Sequence, residues 1–317
     1  MGFEALLGNE QLKENLISSL SRGHISHFYL LSGPEGSGKH TLAKLMGAAI
    51  LCKGSHKPCL SCLPCRKVMD GNHPDFITVD DPEKKTVTVE LIRETRSDMY
   101  IRPNESDYKI YVFPRAQDMG LSGQNALLKV LEEPPKYGVF LLLTDNPDKL
   151  LPTVRSRCTE LSLRPLPENL LRTELSARFP DASSEDVEGA ILRSGGFLGQ
   201  AMALMESGSL VDPQTEAFGE AFARKDSLEL VRTLVPLEKM KRDALSELIQ
   251  QWLELLEEAL ICRSGVRTVS PLSRKLASLR SSTELYEGLE VLRKSADYLQ
   301  SNVSPAAVCG YLSWALR

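Results

Sequence analysis

No part of this 317-residue chain is apolar for long enough to cross a membrane. The longest apolar run near its middle, Val139 to Leu143, falls far short of the roughly 20 residues a spanning helix requires. The opening stretch MGFEALLGNEQLKENL carries acids and has no continuous apolar core, so it does not read as a signal peptide. Leu6 stands where a myristoylation motif wants Ser or Thr. The expected compartment is the cytoplasm. A basic surplus is missing as well. The net charge is −4, so the chain as a whole is not a basic nucleic-acid binder, and any DNA contact has to come from a local patch or a larger assembly. There is no internal repeat and no low-complexity tract. What remains is a chain of 42% hydrophobic residues, enough for real cores, whose length suggests two or three domains.

Convincing strand patterns are confined to the first half. HFYLLSG (27–33), DFITVD (75–80), KIYVF (109–113) and VFLLLT (139–144) read as short buried strands. Helical patterns separate them, among them KHTLAKLMGAAILC (39–52) and GQNALLKVLEE (123–133), the latter stopped by Pro134 and Pro135. Apolar strands alternating with helices predict an α/β domain with a parallel sheet covered on both faces. Pro165 and Pro167 mark a linker, and only helices follow. ALSELIQQWLELLEEALICR (244–263) sets Leu245, Leu248, Ile249, Trp252, Leu255, Leu256 and Leu260 on one stripe, and ELYEGLEVLRKSADYL (284–299) repeats the habit. A break near 207–213 divides a small helical domain from a larger one. The predicted boundaries are 1–165, 166–208 and 209–317.

Between the first strand and first helix lies GPEGSGKHT (33–41). Seven positions of the phosphate-binding pattern G-x-x-x-x-G-K are present. The eighth, which should carry a hydroxyl for Mg²⁺, is His40, and Thr41 comes one residue late. Gly33, Gly36, Ser37, Gly38, Lys39 and Thr41 are the candidate nucleotide-binding residues. Lys39 and the N–H groups from Gly36 to Lys39 are suited to phosphate. An equal reading is a relic loop kept for its strand-to-helix turn.

Seven cysteines in a chain of this type argue against disulfides. Cys158, Cys262 and Cys309 are scattered and read as small buried residues. Cys52, Cys59, Cys62 and Cys65 cluster as C-x₆-C-x₂-C-x₂-C. Four close thiolates suit tetrahedral Zn²⁺ in a structural site with no open position. An iron–sulfur run of the bacterial type wants a Cys at position 69 and a Pro after it, and Met69 and Asp70 stand there. His56 and His73 flank the cluster and read as loop residues.

A phosphate loop followed by a four-cysteine insertion resembles the bacterial clamp-loader subunits of the AAA+ class. LLGNEQLKENL (6–16) resembles the segment that cups adenine in that family. NALLKVLEEPP (125–135) is close to a signature of its τ/γ and delta-prime subunits, and SRC (156–158) matches its arginine-finger motif. The resemblance is dense from residue 3 to about 165 and thinner beyond. It implies an AAA+ P-loop NTPase-like sheet domain with a zinc module at 52–65, a small helical lid, and a C-terminal all-α collar that joins subunits.

The departures narrow the resemblance. Motor subunits end a strand in Asp-Glu, for Mg²⁺ and the attacking water. KIYVFPRAQDM puts Pro114 and Arg115 there, and Asp118 reads as a helix cap. The lid arginine of motor subunits is replaced by Gly199 in GGFLGQAMA. Thr144 sits where the family keeps its sensor residue. Arg157 is retained, and in this family the SRC arginine reaches into the neighbour's ATP site. The combination resembles the delta-prime branch. It implies a stator with little or no ATP hydrolysis of its own, part of a DNA-directed DNA polymerase holoenzyme. The implied partners are τ/γ and delta subunits, a sliding clamp and primed DNA. Arg93, Arg96 and Arg102 form a basic stretch that reads as a solvated face. Rival readings are an active τ/γ-type ATPase and a zinc-containing scaffold outside replication.

Overall fold

A computed structural model describes residues 2–81, 83, 84, 86–206, 213–264 and 270–316, except the side chain of Glu185. The chain divides into two compact units, Met1–Ala177 with Arg193–Met202, and Arg178–Leu192 with Ala203–Arg317. The break near 207–213 inferred above falls largely on 207–212, outside the described residues.

In chain order the first unit runs α1 (Glu10–Ser21), β1 (Phe28–Ser32), α2 (Lys39–Leu51), α3 (Leu63–Met69), β2 (Phe76–Thr78), α4 (Val89–Met99), β3 (Lys109–Phe113), α5 (Leu121–Glu132), β4 (Gly138–Thr144), α6 (Pro152–Arg155), β5 (Thr159–Ser162) and α7 (Glu168–Arg178). The five strands form one sheet in the order β2-β3-β4-β1-β5, and every pairing is parallel. β1, β3 and β4 are buried along their whole length, as their unbroken apolar runs require of a sheet covered on both faces. Alternate residues of each strand feed two different cores. Tyr29, Leu31, Ile110 and Leu141 pack with Leu42, Leu45 and Met46 of α2. Phe28, Leu30, Tyr111 and Phe140 pack with Ile92 of α4 and Leu127 and Val130 of α5. Each fully buried Leu or Phe contributes about 1.5–3 kcal/mol, so these two layers hold β1, and with it the phosphate-type loop, in place.

Past α7 come α8 (Ser184–Arg193), α9 (Leu198–Glu206), α10 (Pro213–Arg224), α11 (Ser227–Leu234), α12 (Arg242–Arg263), α13 (Pro271–Leu279), α14 (Ser282–Gln300) and α15 (Pro305–Ala315). α8 lies almost wholly in the second unit, and α9 spans the division. The core of the second unit is built on α12, whose Leu245, Ile249, Trp252 and Leu256 pack against Phe218, Phe222, Leu276, Leu289 and Leu292. Phe218 stacks on Trp252 with ring centroids 4.1 Å apart. Arg280 donates from Nε to the Phe222 carbonyl at 2.7 Å and lies 4.2 Å from the centre of the Phe222 ring. The described residues of this unit are entirely helical apart from their connections. No helix among the described residues is long and apolar enough to cross a membrane.

Candidate functional site

The loop after β1 is built for a close backbone approach. Gly36 and Gly38 have φ of 74° and 95°, in the left-handed region that glycine enters without steric cost. The Gly33 N–H donates to the Thr144 carbonyl at 3.2 Å, tying the loop to the end of β4. α2 starts at Lys39 with Gly38 as its cap, and no side chain caps the helix. Its first N–H groups are therefore open to an anion. The buried Ser37 hydroxyl has no hydrogen-bond partner, and Thr41 sits in the first turn of α2.

Two features oppose these. Lys39, only 5% exposed, spends all three donors inside the protein. Its Nζ lies 2.5 Å from Gly33 O, 2.8 Å from Pro34 O and 2.6 Å from Asp145 Oδ1. The tip of the loop is also covered. Gly199 N–H donates to Gly36 O at 3.0 Å, and a Cβ on Gly36 would lie 2.5 Å from Gln200 N. Gly199, noted above as the substitute for a lid arginine, is thus the residue that lets the start of α9 rest on the loop. A nucleotide phosphate fits the open N–H groups and Ser37, but has to displace Asp145 from Lys39.

Mg²⁺ does not fit. Pro114 and Arg115 directly follow the last residue of β3. Arg115 reaches Asp80 Oδ1 from Nη2 at 2.6 Å and from Nε at 3.1 Å. Nη2 also donates to the carbonyls of Asp81 and Lys84, each at 3.0 Å. A guanidinium committed to these acceptors is the wrong charge for a cation site. Asp118 does not cap a helix, contrary to the expectation. It ends a 3-10 turn, Ala116–Asp118, and faces Arg115 at 4.0 Å, while α5 is capped by Gly120. His40 is exposed and belongs to the same end of the sheet. Thr144 is buried, and its hydroxyl accepts from Asn146 N at 3.2 Å.

Arg157 follows the short helix α6. Its Nη1 donates to Thr153 O at 2.9 Å and its Nη2 stands 3.5 Å from Glu132 Oε1 at the end of α5. Neither partner belongs to the phosphate-type loop, and the Arg157 side chain is 40% exposed. Gln124 carries the support for this corner. Its buried carboxamide accepts from Leu151 N at 2.7 Å and donates to Met119 O at 3.0 Å and Lys149 O at 3.1 Å. Those bonds fix the segment that leads into α6. Arg155 pairs separately with Asp148 at 2.7 Å.

The four clustered cysteines converge between the end of α2 and the start of α3, with all four sulfurs within 4.8 Å of one another. Cys52 Sγ lies 3.9 Å from Cys62 Sγ, and Cys59 Sγ 4.0 Å from Cys65 Sγ. Four thiolates at zinc–sulfur distances of about 2.3 Å in a tetrahedron stand about 3.8 Å apart, so the donor set fits zinc. Backbone N–H groups of Gly54 and Cys62 donate to Cys52 and Cys59 sulfurs at 3.3 Å, the kind of outer support that orients metal ligands. Hydrogen bonds from Ser61, then from the Cys62 N–H, hold the Cys59 thiol down to about 5. Burial pushes Cys52 and Cys65 up. His56 is exposed, as a loop residue should be. His73 is 3% exposed instead. Its Nδ1 accepts from Asp75 N at 3.1 Å and its Nε2 faces Ser106 Oγ at 3.4 Å. Cys309 is buried, and Cys158 and Cys262 are half-buried. Arg93 and Arg102 are exposed and Arg96 is half-buried.

Residues 8–167 match the family described as DNA polymerase III, delta subunit. The chain is 26% identical over 325 residues to DNA polymerase III subunit tau of Bacillus subtilis, covering 92% of this chain and 57% of that one. It is 34% identical over 161 residues to DNA polymerase III subunit delta' of the same organism, covering 50% and 49%. The chain thus spans about half the length of these relatives. Among solved structures, a DNA polymerase III gamma subunit-related protein of Thermotoga maritima aligns over 95% of this chain and 100% of its own, with 17% identity and a TM-score of 0.44. The match across 8–167 takes in the sheet, the phosphate-type loop, the cysteine cluster and Arg157, and on it the chain belongs to the DNA polymerase III, delta subunit family.

Proposed function

We propose that the chain is the stator of a DNA polymerase III clamp loader, of the delta-prime type. It helps place a sliding clamp on primed DNA and lends Arg157 to the ATP site of a neighbouring τ/γ-type motor subunit. The observation that carries this reading is the pairing of Arg115 with Asp80, directly past β3. That is where a hydrolysing subunit needs acids for metal and water. Retention of Arg157 in an exposed position supports a role toward a neighbour. The helices from α10 to α15 form the proposed collar, and α7 to α9 supply the proposed lid. The cysteine cluster is a proposed structural zinc site, and the loop at Gly33–Thr41 holds nucleotide weakly or not at all. The test is reconstitution: the purified chain mixed with the τ/γ and delta subunits of its organism should form a stable complex that loads a clamp. A chain that joins no such complex is a scaffold outside replication. One that hydrolyses ATP unaided is a motor.

A further inference from the structure

We infer that Glu132 is a positioning residue for Arg157. The inference rests on the finger reading above. The NALLKVLEEPP motif ends α5 at Glu132, and Pro134 and Pro135 prevent its continuation. Helix C-termini carry partial negative charge, and here Glu132 adds a full one. The guanidinium of Arg157 pairs with that carboxylate. It is tethered at two points, by Thr153 O at 2.9 Å through Nη1 and by Glu132 at 3.5 Å through Nη2. The tethers lie on different elements, α6 and α5, and each engages one of the two terminal nitrogens. Cys158 anchors the following residue, its Sγ donating to Val154 O at 3.3 Å. The Arg157 side chain is 40% exposed.

An untethered arginine spreads over many rotamers and loses them when it engages a phosphate. A fork held by a carboxylate on one nitrogen is already oriented, and a planar donor set rewards orientation. The pair is loose and solvated, so the carboxylate does not compete strongly with a phosphate. An ion pair at this exposure biases its partners by no more than about fivefold. Glu133, its neighbour in the motif, has no such contact with Arg157, whose partner is Glu132.

The experiment uses complexes reconstituted with the τ/γ and delta subunits, with DNA- and clamp-stimulated ATPase as readout. The finger-dependent share of the rate is what Arg157→Ala removes. Glu132→Ala should lower that share by about two- to fivefold through kcat, with KM for ATP unchanged. Glu132→Gln, which keeps an acceptor oxygen, should restore most of it. Glu132→Lys should fall to the Arg157→Ala level. In an Arg157→Ala background, Glu132→Ala should do nothing further, an outcome that a general structural role does not produce. Thermal midpoints of the variants check folding. If Arg157→Ala is deficient while Glu132→Ala and Glu132→Lys keep the full rate, the positioning role is wrong and the finger stands. A silent Arg157→Ala overturns both.

Discussion

Arg115 holds Asp80 with two nitrogens on one oxygen, Nη2 at 2.6 Å and Nε at 3.1 Å, at the mouth of the sheet where a hydrolysing relative would hold a metal. The isolated chain should therefore not turn over ATP, with or without primed DNA. Steady-state phosphate release by the wild-type chain and by Lys39→Ala decides this. Hydrolysis that vanishes in Lys39→Ala would make the chain a motor.

Zinc should accompany the purified protein at one ion per chain, bound by Cys52, Cys59, Cys62 and Cys65. Losing Cys62 to Ser should unsettle the segment between α2 and α3 without unfolding the sheet or the helical unit, which have their own cores. Elemental analysis of protein prepared without chelator checks the first point, and hydrogen exchange the second. Iron, or no metal at all, would refute the assignment.

Arg157→Ala should leave assembly of the complex intact and lower its ATPase in part, since one site of several loses its finger. Fingers can be worth about 10³–10⁵ in rate at their own site. Clamp loading, which needs coordinated sites, should suffer more. Arg157→Lys should not rescue, because a point charge is no planar fork. Arg155→Ala should do little, since its partner is the exposed Asp148. Loading at the unmodified rate by Arg157→Ala complexes would reduce the chain to a passive support.

Gly36→Ala should destabilise the protein by about 2 kcal/mol or more. A left-handed φ costs an L-residue about 1–2 kcal/mol, and the new methyl would also meet the backbone of Gln200. Gly71 has nearly the same φ, 75°, with nothing within 4 Å of a built Cβ, so Gly71→Ala should show the backbone cost alone. Denaturant midpoints of the two variants separate the contributions. Equal losses would mean that the start of α9 does not rest on the loop.

His73 should make stability fall on acidification. Burial lowers its folded pKa below the ordinary 6.5, with Asp75 and Glu105 acting the other way. Below pH 6.5 the unfolded chain takes up a proton that the folded one still refuses, so stability declines until the folded pKa is reached. His73→Gln should flatten that decline. A pH series of unfolding midpoints between 7.5 and 5 reads it, and an unchanged slope would exclude the histidine.

Four of the five strands were legible in the sequence, β2 as a shorter piece, Phe76–Thr78, of the expected 75–80. β1, β3 and β4 lie within a residue of their expected ends. β5 was missed because Thr159–Ser162 offers one apolar residue in four and lies at the sheet edge, exposed for most of its length. Covering both faces of the sheet makes the central strands conspicuous, and an edge strand has no such requirement. The phosphate-type loop and the cysteine cluster were legible because their residues are neighbours in the chain. The partners that define their state were not. Asp145 lies 106 residues from Lys39, Asp80 35 from Arg115, and Glu132 25 from Arg157. Gln124 gave no signal beyond its place in a helix, since a lone amide becomes significant only when the fold brings three backbone groups to it. Asp118 misled for a related reason: acids precede helices often enough to suggest a cap, but the chain turns once more before α5 begins.

The order β2-β3-β4-β1-β5 has a temporal side. β1 is translated early, yet both strands that flank it, β4 and β5, come about a hundred residues later. At about 5–20 residues per second of synthesis, a largely apolar strand, FYLLS, waits for several seconds with two unpaired edges. Long-range parallel pairing of this kind is intrinsically slow and exposed to aggregation. The nascent chain should depend on chaperone shelter until residues 138–162 leave the ribosome, and truncations that stop before β4 should be insoluble.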